Sequence, residues 1–147
     1  MKPARLPGAI LRPATREDVA GIQRVRHAVK ENRLVSRVIA DAEVIEAIET
    51  TGRGWVVEAG GKVVAFAIGN AVDGSVWALF VDPLHEGCGY GRRLHDVMVE
   101  WLHARGFARL WLTTDPGTRA EDFYARAGWV SRGRQANGEL RFEHEAD

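Results

Sequence analysis

DPLHEGCGYGRRLHDVMVEWL, residues 82–102, puts Gly87, Gly89 and Gly91 between two runs of opposite character. Upstream, WALFVDP (77–83) reads as a buried strand that Pro83 stops. Downstream, Leu94, Val97, Met98, Trp101 and Leu102 recur at helical spacing and predict one buried stripe. Glycine lets backbone approach a ligand closely, and the first amides of a helix have no internal acceptor. The helix dipole adds an attraction for anions, and Arg92 and Arg93 in the first turn are cations that a negative ligand would relieve. The alternative is a tight strand-to-helix turn that holds nothing. Two nucleotide readings fail on spacing. A G-x-G-x-x-G fingerprint would need glycine where Arg92 or Leu94 stands, and no G-x-x-x-x-G-K-[ST] run exists.

Working outward, AILRP (9–13) predicts a first strand, and Thr15 with Asp18 three residues on resembles a capping box for a helix over 16–30. Asp41 opens a second helix with Val44, Ile45 and Ile48 on one face, closed by Gly52 and Gly54. From Gly54 to Pro83, turn signals at Gly60-Gly61 and Asp73-Gly74 divide three strands of an antiparallel meander. Gly106 fits the C-cap of the helix after the glycine cluster, and ARLWLTT (108–114) follows as a strand parallel to 75–82. A second capping box at Thr118 and Glu121 starts a helix that ends on Gly128. Strands near 129–134 and 139–144, joined through Asn137-Gly138, close the chain. The expected order is βααβββαβαββ, an α/β fold with a mixed central sheet, in one domain over 1–147.

The chain has 147 residues, enough for one core, and its Lys+Arg and Asp+Glu counts balance at 20 each. That balance gives no support to nucleic acid held by bulk charge. The lone cysteine, Cys88, excludes an internal disulfide and a multi-cysteine zinc site. MKPARLPGAI has no apolar signal-peptide core, and no stretch reaches the ~20 apolar residues of a membrane span. The expected setting is soluble, reducing and cytoplasmic.

Glu86-Gly87-Cys88-Gly89-Tyr90-Gly91 after WALFVDP resembles the [Q/R]-x-x-G-x-[G/A] loop of the GNAT superfamily of N-acetyltransferases, in particular its small single-domain bacterial members. FYARAGW (123–129) resembles that family's F-Y-x-x-x-G-[FW] segment, and the order of elements matches from residue 9 onward. The resemblance implies the GNAT (acyl-CoA N-acyltransferase) fold and acetyl-CoA as cosubstrate, with no metal. It implies that Leu79, Phe80 and Val81 pair with the pantetheine arm between two splayed strands. Amides of Gly87, Cys88, Gly89, Tyr90, Gly91 and Arg92 would hold the pyrophosphate. Tyr124 matches the tyrosine that protonates the departing thiolate, with Phe123 and Ala127 on the core-facing side of its helix. Where relatives carry a pantetheine-touching asparagine, this chain has Thr114 or Asp115.

The acceptor implied is a primary amine of a small molecule or peptide. Dimers are frequent among such proteins, which leaves a homodimer open. The general base is open too. Ser75 stands nearest the position of a glutamate used by some members; His27, Glu31 and Asn32 border the expected acceptor pocket, and a water chain would serve equally. That missing glutamate keeps alive a second reading, a non-catalytic acyl-CoA sensor or interaction module. Cys88 reads as loop filler. Trp77 and Trp111 are candidates to line the acceptor pocket; the other tryptophans read as core. The five histidines show no metal-ligand spacing, and His95 and His103 read as lying on the polar side of their helix. Glu86 replaces the family's Gln or Arg. A carboxylate beside a pyrophosphate repels it, so Glu86 is expected to face solvent or a nearby arginine.

Overall fold

Glycine and proline punctuation divides the chain much as its turn signals require. The computed structural model describes residues 4–6, 8–29 and 38–147. Over these it forms β1 (Ala4–Leu6), β2 (Ala9–Pro13), α1 (Val19–Ala28), α2 (Asp41–Glu49), β3 (Gly52–Ala59) and β4 (Lys62–Asn70). There follow β5 (Ser75–Val81), α3 (Tyr90–Ala104), β6 (Arg109–Thr114), α4 (Arg119–Arg126), β7 (Val130–Arg134) and β8 (Leu140–Glu145). The mixed α/β architecture and order agree with the expectation, with one addition. Residues 4–6 form β1, which pairs antiparallel with β2.

The strands join in the order β1-β2-β3-β4-β5-β6-β8-β7, antiparallel throughout except between β5 and β6. Alternation along the central strands feeds two cores. Trp55, Val57, Ala65 and Ala67 face Leu94, Met98, Leu102 and the α4 side. Val56, Phe66 and Ile68 face Ile22, Val25, Val44 and Ile48 of α1 and α2.

Four local expectations need correction. Residues 16–18 form a 3-10 turn and α1 begins at Val19, because the Asp18 carboxylate accepts from the Thr15 amide (2.8 Å) and tightens the first turn. Gly52 and Gly54 lie inside β3 rather than closing α2. A Cβ on Gly52 would sit 1.9 Å from the Gly69 carbonyl oxygen, so close strand contact demands glycine there. At the start of α4, Thr118 caps the Glu121 amide as expected, but the Glu121 carboxylate accepts from Gly117 instead of Thr118. On α3, Leu94, Met98 and Leu102 are fully buried, while Val97 and Trp101 are half-buried and the stripe widens instead toward Tyr90, His95 and Val99.

Candidate active site

Among the described residues, β5 and β6 pair at Ser75↔Trp111 alone. The Trp111 amide also donates to the Gly74 carbonyl at 3.2 Å. Beyond that point the strands run on without a shared register, while β5 stays paired with β4 to Val81 and β6 with β8 along its whole length. The edges that face each other past Ser75 are therefore open, and Leu79, Phe80 and Val81 line one of them, half-buried. A bulge contributes to the divergence. Ile68 pairs with Ala78 and Gly69 with Val76, which leaves Trp77 as an extra residue on β5.

The glycine loop stands at the wide end of this opening. Gly87 and Gly89 take φ of 79° and 83°, a conformation that suits glycine, and Gly89 is the N-cap of α3. Gly91 has a different duty: a Cβ there would meet Val81 at 3.4 Å and Phe123 at 3.6 Å, so it marks where β5, α3 and α4 converge. Among the described residues, the amides of Gly87 through Arg92 have no backbone acceptor, and the ladder of α3 starts with Arg93 donating to Gly89 at 3.2 Å. Cys88 is exposed, and Tyr90 is buried beneath the loop. Arg92 is half out in solvent, its Nε donating to Asp96 at 3.0 Å. The Glu86 carboxylate pairs with the guanidinium of Arg119, in the first turn of α4.

The loop is anchored from behind by Asp82, which is buried and accepts from the Leu84 amide at 3.0 Å and from Arg24 of α1 at 3.2 Å. The Leu84 amide, more than offsetting burial, and then Arg24 hold its carboxyl below the ordinary range. The Asp82-Pro83 pair is an N-cap signal with proline at the first turn position, and it could have disclosed this anchor in the sequence.

Tyr124 is buried, at 6% exposure, and burial pushes its phenol well above the ordinary value. It is Phe123 that is half-buried, so the expected sidedness of α4 is corrected. Tyr124 and Ala127 point inward, and Phe123 turns toward Gly91 and Val81. The Tyr124 ring stands edge-on to Trp129 with centroids 5.4 Å apart, and its carbonyl accepts from the Trp129 amide at 3.0 Å. The Trp129 indole N–H donates to Nε2 of His95 at 2.8 Å. His95 is 2% exposed, which overturns its placement on the polar side of α3. An imidazole tolerates that burial because Trp129 and Asp96 satisfy both ring nitrogens. No apolar periodicity could have found it.

Thr114, on the opposite wall at the end of β6, is buried, and the Asp115 carbonyl accepts from the Thr118 hydroxyl at 2.8 Å. Ser75 is spoken for, since both its amide and its hydroxyl (2.6 Å) donate to Asp73. His27 is exposed at the end of α1, while Glu31 and Asn32 lie outside the described residues. Trp77 is half-buried beside the α1/α2 core; Trp111 donates to the Asp73 carbonyl and carries Arg141 over its ring at 4.7 Å. Among the described residues, no three His, Cys, Asp or Glu side chains gather as metal ligands, and no helix is long and apolar enough to cross a membrane.

The acetyltransferase (GNAT) family model matches residues 19–129, and the chain belongs to that family. The [ribosomal protein bS18]-alanine N-acetyltransferase of Haemophilus ducreyi is 31% identical over 71 residues, covering 46% of this chain and 49% of that protein. The chloroplastic GCN5-related N-acetyltransferase 1 of Arabidopsis thaliana is 33% identical over 73 residues, 48% of this chain and 36% of that protein. These matches span between a third and a half of the curated relatives' length. Among solved structures, the PaiA N-acetyltransferase of Thermoplasma acidophilum, in complex with coenzyme A, superposes with a TM-score of 0.79 at 12% identity, covering 94% of this chain and 99% of that one. The YncA structure from Salmonella typhimurium, with acetyl-CoA, gives 0.80 at 18% identity over 95% of each chain. At these identities the likeness establishes the GNAT fold.

Proposed function

We propose that this chain transfers the acetyl group of acetyl-CoA directly to a primary amine of a small molecule or peptide. The observation that carries this reading is the open β5 edge running into a loop of unpartnered amides. A pantetheine arm offers amide groups that an open strand edge can pair, as an added strand would. A diphosphate suits free amides at a helix N-terminus. The chain's groups fit that ligand. Leu79, Phe80 and Val81 supply the strand edge, and the amides from Gly87 through Arg92 supply the anion cradle. Thr114 supplies the facing wall.

Acetyl-CoA supplies the acyl group as a thioester. Tyr124, kept protonated by its apolar surroundings, is the proton donor at the departing sulfur. The amine gives up its own proton to a group near the end of α1 or to water. The balanced charge of the chain fits a small amine or a peptide better than a nucleic acid. An alanine of a ribosomal protein, the acceptor named for the Haemophilus relative, is one such peptide amine. The exposed thiol of Cys88 fits a reducing cytoplasm.

Thermal unfolding with millimolar acetyl-CoA, followed by release of free CoA against a panel of amines, tests the reading. A ligand specific for the native state raises the melting temperature by mass action. Absence of any shift defeats the proposal. A shift without CoA release from any amine replaces the enzyme with a binding module.

A further inference from the structure

His95 bonds to both neighbours in a way that fixes its protonation state. The Trp129 indole can only donate, so His95 Nε2 must carry a lone pair; the ring proton then lies on Nδ1, donated to Asp96 at 2.9 Å. Asp96 in turn accepts from Arg92, in the first turn behind the glycine loop. On the far side, Trp129 meets Tyr124 through both its backbone amide and its ring, and Phe123 stands edge-on to the His95 ring at 5.7 Å. A continuous set of contacts thus links the helix behind the anion cradle to Tyr124.

We infer that His95 is a positioning residue for Tyr124: through the Trp129 indole it sets where the phenol stands, and only neutral His95 does so. This rests on the acetyl-transfer reading. Protonation would set two N–H donors against each other across 2.8 Å, so the bond to Trp129 must break and the seat of Tyr124 with it. Burial holds the imidazole below its ordinary value against the pull of Asp96, with Arg92 adding to the depression. The other groups facing it are Phe123 and Tyr124 from α4, Trp129, and His144 of β8 at 6.4 Å. His144 is itself held below its ordinary value by burial and by its histidine neighbours, against the pull of Asp147.

The test pairs a spectroscopic readout with kinetics on the full chain. The indole N–H resonance of Trp129, assigned with Trp129→Phe, is followed from about pH 8 to about pH 5, the range in which histidine titrates. It should shift with a midpoint below the ordinary histidine value, and the shift should vanish in His95→Gln, whose amide oxygen accepts the same bond at every pH. His95→Gln should keep kcat within about twofold at neutral pH, whereas His95→Phe should lower kcat about tenfold with the acetyl-CoA KM unchanged. On a Tyr124→Phe background the His95→Phe loss should disappear. If His95→Phe does not fold, Trp129→Phe keeps a ring, removes the donor, and should show the same kcat loss. A static indole resonance, an indole titration retained by His95→Gln, or an undiminished loss on the Tyr124→Phe background overturns the inference. Absence of turnover with every amine overturns acetyl transfer instead, and the indole titration and its loss in His95→Gln still decide the His95–Trp129 link.

Discussion

The Glu86 carboxylate is held by the Arg119 guanidinium across the mouth between the β5–α3 loop and α4. The pairing neutralises a negative charge that would otherwise stand beside the anion cradle. Removing the arginine alone exposes that charge, and removing both groups cancels it.

Arg119→Ala is therefore expected to weaken acetyl-CoA binding by about three- to tenfold at low ionic strength, with most of the loss recovered in Glu86→Gln/Arg119→Ala. Glu86→Gln alone should change affinity by less than about threefold, the scale of an exposed ion pair. Titration calorimetry at two salt concentrations measures this. A several-fold tightening in Glu86→Gln would show that the carboxylate faces the phosphates despite Arg119.

The three glycines should respond differently to alanine. Gly87 and Gly89 have positive φ and open space around a new Cβ, so each substitution strains backbone only and costs about 1–2 kcal/mol. Gly91 lies inside α3 with ordinary contacts at 3.4 and 3.6 Å, so Gly91→Ala should be neutral or gain up to about 1 kcal/mol from helix propensity. Urea unfolding of the three variants without ligand distinguishes the roles.

Tyr124→Phe should lower kcat by about a hundredfold while acetyl-CoA binding stays within about twofold. Because burial raises the phenol, no alkaline limb between about pH 7 and pH 9 should belong to Tyr124. Stopped assays of CoA release against pH, on wild type and variant, check both statements.

Arg12 bridges Asp18 (2.9 Å) and Glu58 (2.8 Å), and Asp18 also accepts from the Thr15 amide. Burial raises the Asp18 carboxyl, but Arg12 and Thr15 together outweigh it and leave the group below its ordinary value. A depressed carboxyl stabilises the fold fully above its unfolded value near pH 4, and that contribution is lost as pH falls through the folded value. Arg12→Leu should cost about 1–3 kcal/mol at neutral pH and flatten this acid dependence. Urea midpoints at several pH values measure it.

Much of this architecture was written in local signals. Gly60-Gly61 and Asp73-Gly74 dictate the meander because few residues other than glycine accept the backbone angles of Gly60, Gly61 and Gly74, and Leu94, Met98 and Leu102 dictate the α3 face because apolar area must be covered. The strand at 4–6 carried no such signal, since a short edge strand is defined by its partner. The polar contacts were hidden for a related reason. His95 looks like a surface residue until Trp129 is brought against it, and Glu86 becomes innocuous only once Arg119 is placed opposite. Both pairings cross the β5/β6 region, where tertiary closure and not local pattern decides neighbours. The sidedness of α4 is not legible in its own sequence because Phe123 and Tyr124 are both aromatic; only the approach of Phe123 to Gly91 shows which ring turns outward.

The sparse pairing of β5 with β6 has a consequence for how the molecule holds together. One flank, β1 to β5, and the other, β6 with β8 and β7, share few backbone bonds, and α3 packs on strands from both. Amide hydrogens in β6 and β8 should then exchange through a local opening that leaves β3 and β4 protected, as two cooperative units in place of one. A ligand that fills the gap would act as mortar, and the two exchange rates should converge when it binds.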